Sequence, residues 1–575
     1  MWLHTSLVYF TEGQDDPGES QSKHFHEPPY TSDRLLTRIN IKWGSSGAGV
    51  EAPSSMKNHD PIDLVTLINI NQSMSWPAAS QTEMSSRLDL LKNAMKFIIR
   101  QLGDDDRLAI VAFNDQVIKE YTTGILEISD IGRMAIEKKV DGLVAKGDTA
   151  FKPSLEHAVK LLDDRADKKR AGFIVLISDG LDSQFKWGDD SIAPTDPIRG
   201  LLRKYPVHTF GLGKAHDPKA LHYISNISYG IYSSITDNLN SKIIEALAIC
   251  LAGFKTVVAV DACVDIRPGG LLITRIDSGG YNTTLNGIAA SVTYKEAPGR
   301  QSTATDSCSV SLPVHVTDTA TAPANPCPPY PLVLQQMVRF KVLDFLISVL
   351  KEFQVLKEEA AGAVHGKEGD DPVLQAIAAS LLERKWKEFK QSDESWKEAP
   401  RNFLDLGGID KDINAMVGIL KQGLGVGCIY SWLSSYQMQR ATTTGLPGAH
   451  MVATGQFRTP AMDAMVQEAH RQLAKEASAQ DAGTSIVCKR AAELLDGVNK
   501  RFDLWCKLDH DLPRTNQPPS HQEEGHESRD ITAVLRGDIN RARQHDIYLA
   551  ADDAIKQWRS FLASVEKTHG HGPDK

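Results

Sequence analysis

Leu64-Val-Thr-Leu-Ile-Asn-Ile-Asn-Gln-Ser-Met-Ser75 decides the fold. Its first seven residues are a near-continuous apolar run, the pattern of a strand buried on both faces. From Asn69 onward the side chains are small and carry oxygen, which suits a strand exit. Downstream, Leu88, Leu91, Met95, Ile98 and Leu102 are spaced 3, 4, 3 and 4, so they form one apolar stripe on a helix. Buried strands follow at Arg107–Phe113, Gly172–Ile177 and Val207–Phe210, with a short extended piece at Ile231–Ser233. Helical patterns separate them at Ile131–Val140, around Leu155–Leu162, at Leu221–Ile227 and at Ile235–Leu251. Alternation of this kind predicts an α/β architecture, a doubly wound parallel sheet over residues 61–253. Such sheets bind ligands at the carboxyl ends of their strands.

The flanks read differently. Residues 1–60 form a flexible leader with one strand, Leu35–Trp43, followed by a Gly/Ser/Pro-rich loop. Residues 254–330 carry a period of two (Val258, Val260, Ala262, Val264, Ile266) and further strands at Leu271–Ile276, Ala289–Lys295 and Val310–Val316. This predicts a small antiparallel β-sandwich-like segment. Residues 331–575 read as helical, at Leu332–Ala361, Val373–Lys390, Lys411–Gln422, Ile429–Ala441, Met462–Ala477, Ser485–Lys507 and Ile531–Val565. Linkers are expected near 362–372 and 513–530.

Composition narrows the function classes. The 575 residues carry 64 Lys plus Arg against 73 Asp plus Glu, a net charge of −9, which gives no electrostatic reason to expect nucleic acid. The most apolar long stretch, Leu332–Leu350, is broken by Arg339, Lys341 and Asp344, so no membrane span is expected. Met1–Phe10 lacks a basic start and a cleavage site, so no signal peptide is read there. The 7 cysteines are widely spaced with no C-x2-C pair, which points to reduced thiols, a cytoplasmic location and no zinc finger or RING. His24 and His26, like His569 and His571, read as solvated tail. Enzyme signatures are lacking: there is no G-x-x-x-x-G-K-[ST], H-E-x-x-H or G-x-S-x-G. A metal-dependent hydrolase would lack a nucleophile and a base. Gly423-Leu-Gly-Val-Gly427 reads as a helix break, Asp370-Asp371 and Asp552-Asp553 as solvated acids, and Trp432, Trp505 and Trp558 as core residues.

Three segments combine into one constellation. Asn69, Asn71 and Ser73 leave the first buried strand, Thr149 lies in a loop opening a helix, and Asp179 follows a later buried strand in Ser178-Asp-Gly180. In a parallel sheet all of these lie on one edge, where their oxygens suit a hard cation such as Mg2+. Lys214, after the fourth strand, lies on the same edge; it could offset Asp179, but reads first as a solvated loop lysine.

The run from Asp63 to Ala252 resembles a von Willebrand factor type A domain. The resemblance maps that family's metal-ion-dependent adhesion site, Asp-x-Ser-x-Ser plus a loop Thr and a loop Asp, onto Asn69, Asn71, Ser73, Thr149 and Asp179. Ser73, Thr149 and Asp179 match; Asn69 stands where the family has Asp, and Asn71 where it has Ser. Two carboxylates fall to one. A unit charge at about 4 Å is worth roughly 4 kcal/mol at an effective dielectric near 20, and even a third of that is about tenfold in affinity. Mg2+ binding is therefore expected to be weak or absent. The same residues also read as polar strand ends of a retained fold whose site has decayed.

Ser434-Ser-Tyr-Gln-Met-Gln-Arg-Ala441, with Phe457-Arg-Thr-Pro460 and Met462, resembles a C-terminal region of the plant wavy-growth RING-type ubiquitin ligases and their relatives without a RING. No cysteine precedes Cys250, so ligase activity is not carried over. The resemblance implies an intracellular, non-catalytic protein whose type A domain binds a protein partner, with no nucleic acid and no membrane. The alternative is a RING-less adaptor, or a dimerisation partner, of RING-bearing relatives.

Overall fold

The computed structural model describes residues 2–12, 35–42, 61–76, 86–256 (less 169, 189–191, 194, 237 and 238), 259–265, 271–277, 291–296, 308–309, 331–363, 372–393, 396–397, 406–443 and 457–475. The chain divides into two compact units, Met1–His470 and Arg471–Lys575. The expected helices Ser485–Lys507 and Ile531–Val565, the linker 513–530, most of the linker 362–372 and the expected strand Val310–Val316 lie outside the described residues.

The elements in chain order are β1 (Trp2–Glu12), β2 (Leu35–Lys42), β3 (Ile62–Asn69), α1 (Arg87–Gln101), β4 (Arg107–Phe113), β5 (Leu126–Glu127), α2 (Asp130–Asp141), α3 (Phe151–Asp163) and β6 (Ala171–Ser178). They continue with α4 (Pro197–Leu202), β7 (Val207–Leu212), α5 (Pro218–Ile227), β8 (Tyr232–Ile235), α6 (Leu239–Lys255), β9 (Ala259–Asp265), β10 (Leu271–Asp277), β11 (Ser291–Glu296) and β12 (Cys308–Ser309). The series continues with α7 (Pro331–Ala363), α8 (Pro372–Ser392), α9 (Leu406–Lys421) and α10 (Gly427–Met438), and residues 460–475 are helical as well, where a helix over Met462–Ala477 is expected.

The first unit is built on a six-stranded sheet of order β5-β4-β3-β6-β7-β8. Every neighbour pair is parallel except β5 on β4. Strand β3 is central; Leu67 pairs with Val111 on one side and Leu176 on the other. Its residues alternate between two cores. Val65 and Leu67 pack with Phe151 and Leu155 of α3, while Leu64 and Thr66 face Met95 and Ile98 of α1 and Leu247 and Leu251 of α6. Burial on both faces is why β3 reads as a continuous apolar run. The sheet is doubly wound, as its sequence predicts.

Local chemistry sets the boundaries. Helix α1 starts in a capping box, in which Ser86 Oγ accepts from Asp89 N at 3.1 Å and Ser86 N donates to Asp89 Oδ2 at 3.2 Å. Helices α4 and α5 each start on an Asp cap followed by Pro at the first turn, Asp196-Pro197 and Asp217-Pro218. The expected helix from Ile235 begins later, because Ile235 still pairs with Leu212 as the end of β8.

The leader departs from expectation. Its described residues form two strands, where one is expected, and β1 pairs antiparallel with both β2 and β10. One three-stranded sheet is therefore β10-β1-β2 and the other β12-β11-β9. Residues 1–60 thus share a sheet with the 254–330 segment instead of standing apart. The physical reason is that one hydrogen-bonding edge of β1 is satisfied by β10, more than 250 positions away, which no local pattern reveals.

Helices α7 to α10 bury a second core around Leu346, Leu382, Trp386, Ile413 and Trp432. Trp432 stacks on Tyr436 at 3.7 Å and donates to Asp412 at 3.0 Å. The break between α9 and α10 uses Gly423 (φ +72°) and Gly425 (φ +85°), left-handed positions that favour glycine. Among the described residues no helix is long and apolar enough to cross a membrane.

Helix α10 and the chain after it cover the outer edge of β8. Tyr232 N donates to Ser434 Oγ at 2.8 Å, and Ser234 N donates to Thr443 O at 3.1 Å. Thr443 N returns a bond to Ser233 Oγ at 3.2 Å, and Arg440 Nη1 reaches Tyr229 O at 3.0 Å. The Ser434–Ala441 segment is thus the cap of an otherwise open sheet edge.

Candidate functional site

Parallel strands deliver their carboxyl ends to one rim. There β3 ends at Asn69, β6 ends at Ser178, and the loop opening α3 brings in Thr149. Backbone bonds knit the loops together: Gln72 N to Gly147 O at 3.0 Å, Ala150 N to Asn114 O at 2.8 Å, and Ser183 N to Thr149 O at 2.9 Å. The structure brings Asn69, Asn71, Ser73, Thr149 and Asp179 into one connected cluster, nearly all of it buried.

The orientation of both amides is fixed by backbone donors. Asn69 Oδ1 accepts from Asn71 N at 2.9 Å, so its Nδ2 must point the other way, donating to Thr149 Oγ1 at 2.9 Å and Ser178 Oγ at 2.7 Å. Asn71 Oδ1 accepts from Met74 N at 3.3 Å, so its Nδ2 donates to Thr149 Oγ1 at 2.8 Å. Thr149 Oγ1 therefore accepts two amide hydrogens, which uses both of its lone pairs. Ser73 Oγ lies 2.8 Å from Asp179 Oδ1 and 2.9 Å from Asn71 Oδ1, with one proton for the two acceptors.

Asp179 is buried, and its second oxygen accepts from Arg87 Nη1 at 2.7 Å. Arg87 is the first residue of α1, and its side chain is only 11% exposed. A cation in the first helical turn opposes the helix dipole; Asp179 offsets that here. Two glycines make the arrangement fit. A Cβ on Gly213 (φ +70°) would lie 3.2 Å from the Arg87 guanidinium carbon. A Cβ on Gly180 would lie 2.4 Å from Asn71 Nδ2 and 2.6 Å from Thr149 Oγ1.

Around this polar floor each loop exposes one large apolar side chain among polar neighbours such as Gln72, Lys146, Asp148 and Lys186. Trp76 is 53% exposed, Val144 56% and Leu181 44%, each on a different one of the loops that carry the cluster. Trp76 also stands 5.9 Å from the Arg87 guanidinium.

Lys214 is exposed, in keeping with its reading as a solvated loop lysine, and the ion pair at Asp179 is made by Arg87, 92 positions away. Its local signal was Ser86-x-x-Asp89, the capping box that makes Arg87 a first-turn residue. Asp182 was also missed. It accepts from Phe151 N and Trp187 Nε1 at 2.9 and 2.8 Å, capping α3 from a distant loop.

The donor set can be tested against a divalent cation. Such an ion needs oxygen lone pairs. Here two amide N–H groups point inward, Thr149 is saturated as an acceptor, and the one carboxylate already carries a guanidinium. These residues do not fit a resident Mg2+.

A family model described as von Willebrand factor type A domain matches residues 78–234. The chain carries a von Willebrand factor type A domain. It is similar to the E3 ubiquitin-protein ligase WAV3 of Arabidopsis thaliana, 26% identical over 212 residues, 36% of this chain and 25% of that protein. It is also similar to the probable E3 ubiquitin-protein ligase WAVH2 of the same plant, 23% identical over 203 residues, 34% of this chain and 25% of that one. The chain thus spans about a quarter of the length of these curated relatives. Among solved structures it is similar to a von Willebrand factor type A protein from Catenulispora acidiphila, with 18% identity and a TM-score of 0.36, covering 57% of this chain and 80% of that one.

Proposed function

We propose that this chain is a non-catalytic, cytoplasmic protein-interaction module that binds a protein partner on the strand-end rim of its type A domain, where the metal-ion-dependent adhesion motif is degenerate. The observation that carries the reading is the rim itself: Trp76, Val144 and Leu181 stand exposed on three loops joined by backbone hydrogen bonds above a buried polar floor. Exposed apolar side chains grouped at one rim are the ordinary mark of a contact surface. A general acid, base or nucleophile would need free hydrogen-bonding capacity, and the cluster spends its own internally. The test is affinity capture from plant extract with the full chain against the Trp76→Ala/Leu181→Ser variant. Proteins retained by the wild type and lost with the variant support the reading; an unchanged set of bound proteins contradicts it.

A second reading has its own support. The likeness to WAV3 and WAVH2, together with the Ser434–Ala441 segment folded onto β8, favours an adaptor or dimerisation partner of RING-bearing ligases. Co-purification with such a ligase would support it. Ubiquitin transfer by this chain alone would contradict a non-catalytic role.

A further inference from the structure

The misfit between the cluster and a divalent ion has a definite cause. We propose that Arg87 is this site's built-in cation: its guanidinium holds Asp179 and the loops around it in place of a divalent ion, and the site excludes that ion permanently. Three observations converge. Arg87 Nη1 meets Asp179 Oδ2 at 2.7 Å, with the side chains 11% and 0% exposed, so the pair is shielded from solvent and salt. Asn69 Oδ1 is held by Asn71 N, and Asn71 Oδ1 is engaged by Met74 N and Ser73 Oγ, so both oxygens are committed and both amide N–H groups are turned onto Thr149. Gly213, in the left-handed region, leaves the space that the guanidinium fills.

The logic is one of substitution. Two Asn in place of charged or hydroxylic ligands remove negative charge from the floor, and one Arg supplies the positive charge that Asp179 still needs. A guanidinium is always charged and cannot dissociate, so it makes the rim's shape independent of cation concentration and of chelators. The proposal goes beyond the reading of the rim as a contact face and can fail without it.

Mn2+ is the probe, added to the EDTA-treated and dialysed full chain and followed by electron paramagnetic resonance of the free ion. Asp179→Asn serves as the reference, so that binding elsewhere on the chain cancels. Wild type and Asp179→Asn are expected to titrate alike up to about 1 mM, the level of a negligible affinity of about −4 kcal/mol. Asn69→Asp/Asn71→Ser with Arg87 retained is expected to stay unresponsive, and addition of Arg87→Met to that pair is expected to create a site at least about tenfold tighter than any in the wild type. Mn2+ binding by the wild type that Asp179→Asn abolishes overturns the proposal, whether or not the triple variant folds. Tight binding by Asn69→Asp/Asn71→Ser with Arg87 still present overturns it as well. Loss of partner capture in the rim variant, by contrast, bears only on the contact face.

Discussion

Arg87 Nη1 donates to Asp179 Oδ2 at 2.7 Å, joining the first residue of α1 to the loop after β6 across 92 positions of sequence. The contact settles two problems at once. A buried carboxylate is costly without a counter-charge, and an arginine at a helix start is unfavourable unless its charge is drawn elsewhere. Each residue resolves the difficulty of the other.

Asn69→Asp should destabilise the protein although it restores the residue type that the adhesion motif carries. The new carboxylate cannot donate to Thr149 Oγ1 and Ser178 Oγ, so two buried hydrogen bonds are lost and a second buried charge appears. A loss of about 2–4 kcal/mol in urea unfolding is expected, with no recovery on adding Mg2+ while Arg87 is present.

Gly180→Ala should be costly at a position that a conservative view would call harmless. Its Cβ would meet Asn71 Nδ2 at 2.4 Å and Thr149 Oγ1 at 2.6 Å. Overpacking of this sort costs about 1–3 kcal/mol, measurable by urea unfolding; Gly200→Ala, with open space around its Cβ, provides the contrast.

Ser434→Ala should loosen the covered edge of the sheet. It removes the acceptor of Tyr232 N and leaves a buried amide unpaired, at a cost of about 1–3 kcal/mol. Hydrogen exchange should quicken at residues 232–235 and stay unchanged in β3. Equal protection in both proteins would argue against the cap.

Stability should fall on mild acidification through His216. Its Nδ1 faces the carbonyl of Gly213, which can only accept, so the neutral ring carries its proton there and Nε2 accepts from Tyr232 OH. Burial lowers its pKa from 6.5 to about 4. The unfolded chain therefore binds the proton first, and the contribution present above pH 6.5 is lost as pH drops from 6.5 toward 4, levelling off below that. The size is up to about 3 kcal/mol. His208, also lowered by burial, acts in the same direction, and Asp217, raised by burial, acts against it. His216→Gln should flatten the pH 5 to 7 slope of the unfolding free energy.

How much of this could be read beforehand follows from the range of each interaction. The convergence of Asn69, Ser73, Thr149 and Asp179 was legible because a parallel sheet places every strand exit on one rim. The helices were legible from their stripes, to within a few residues at caps such as Asp217-Pro218. Arg87 was not legible, because its role depends on the rotation of α1 about its axis, set by the Ser86–Asp89 box and the packing beneath it. Strand β1 was missed for a related reason: its pairing with β10 is a distant event, and the stretch Leu7–Phe10 taken alone resembles many exposed termini. The seat of Ser434 on β8 likewise depends on two separate cores meeting at one edge.

The most direct test of the account is a double-mutant cycle on Arg87→Met and Asp179→Asn, followed by urea unfolding of the full chain. The account predicts that each single change costs about 3–5 kcal/mol, that the double change costs well under their sum, and that the coupling is about 2 kcal/mol or more. Single effects that add to within about 0.5 kcal/mol would contradict it.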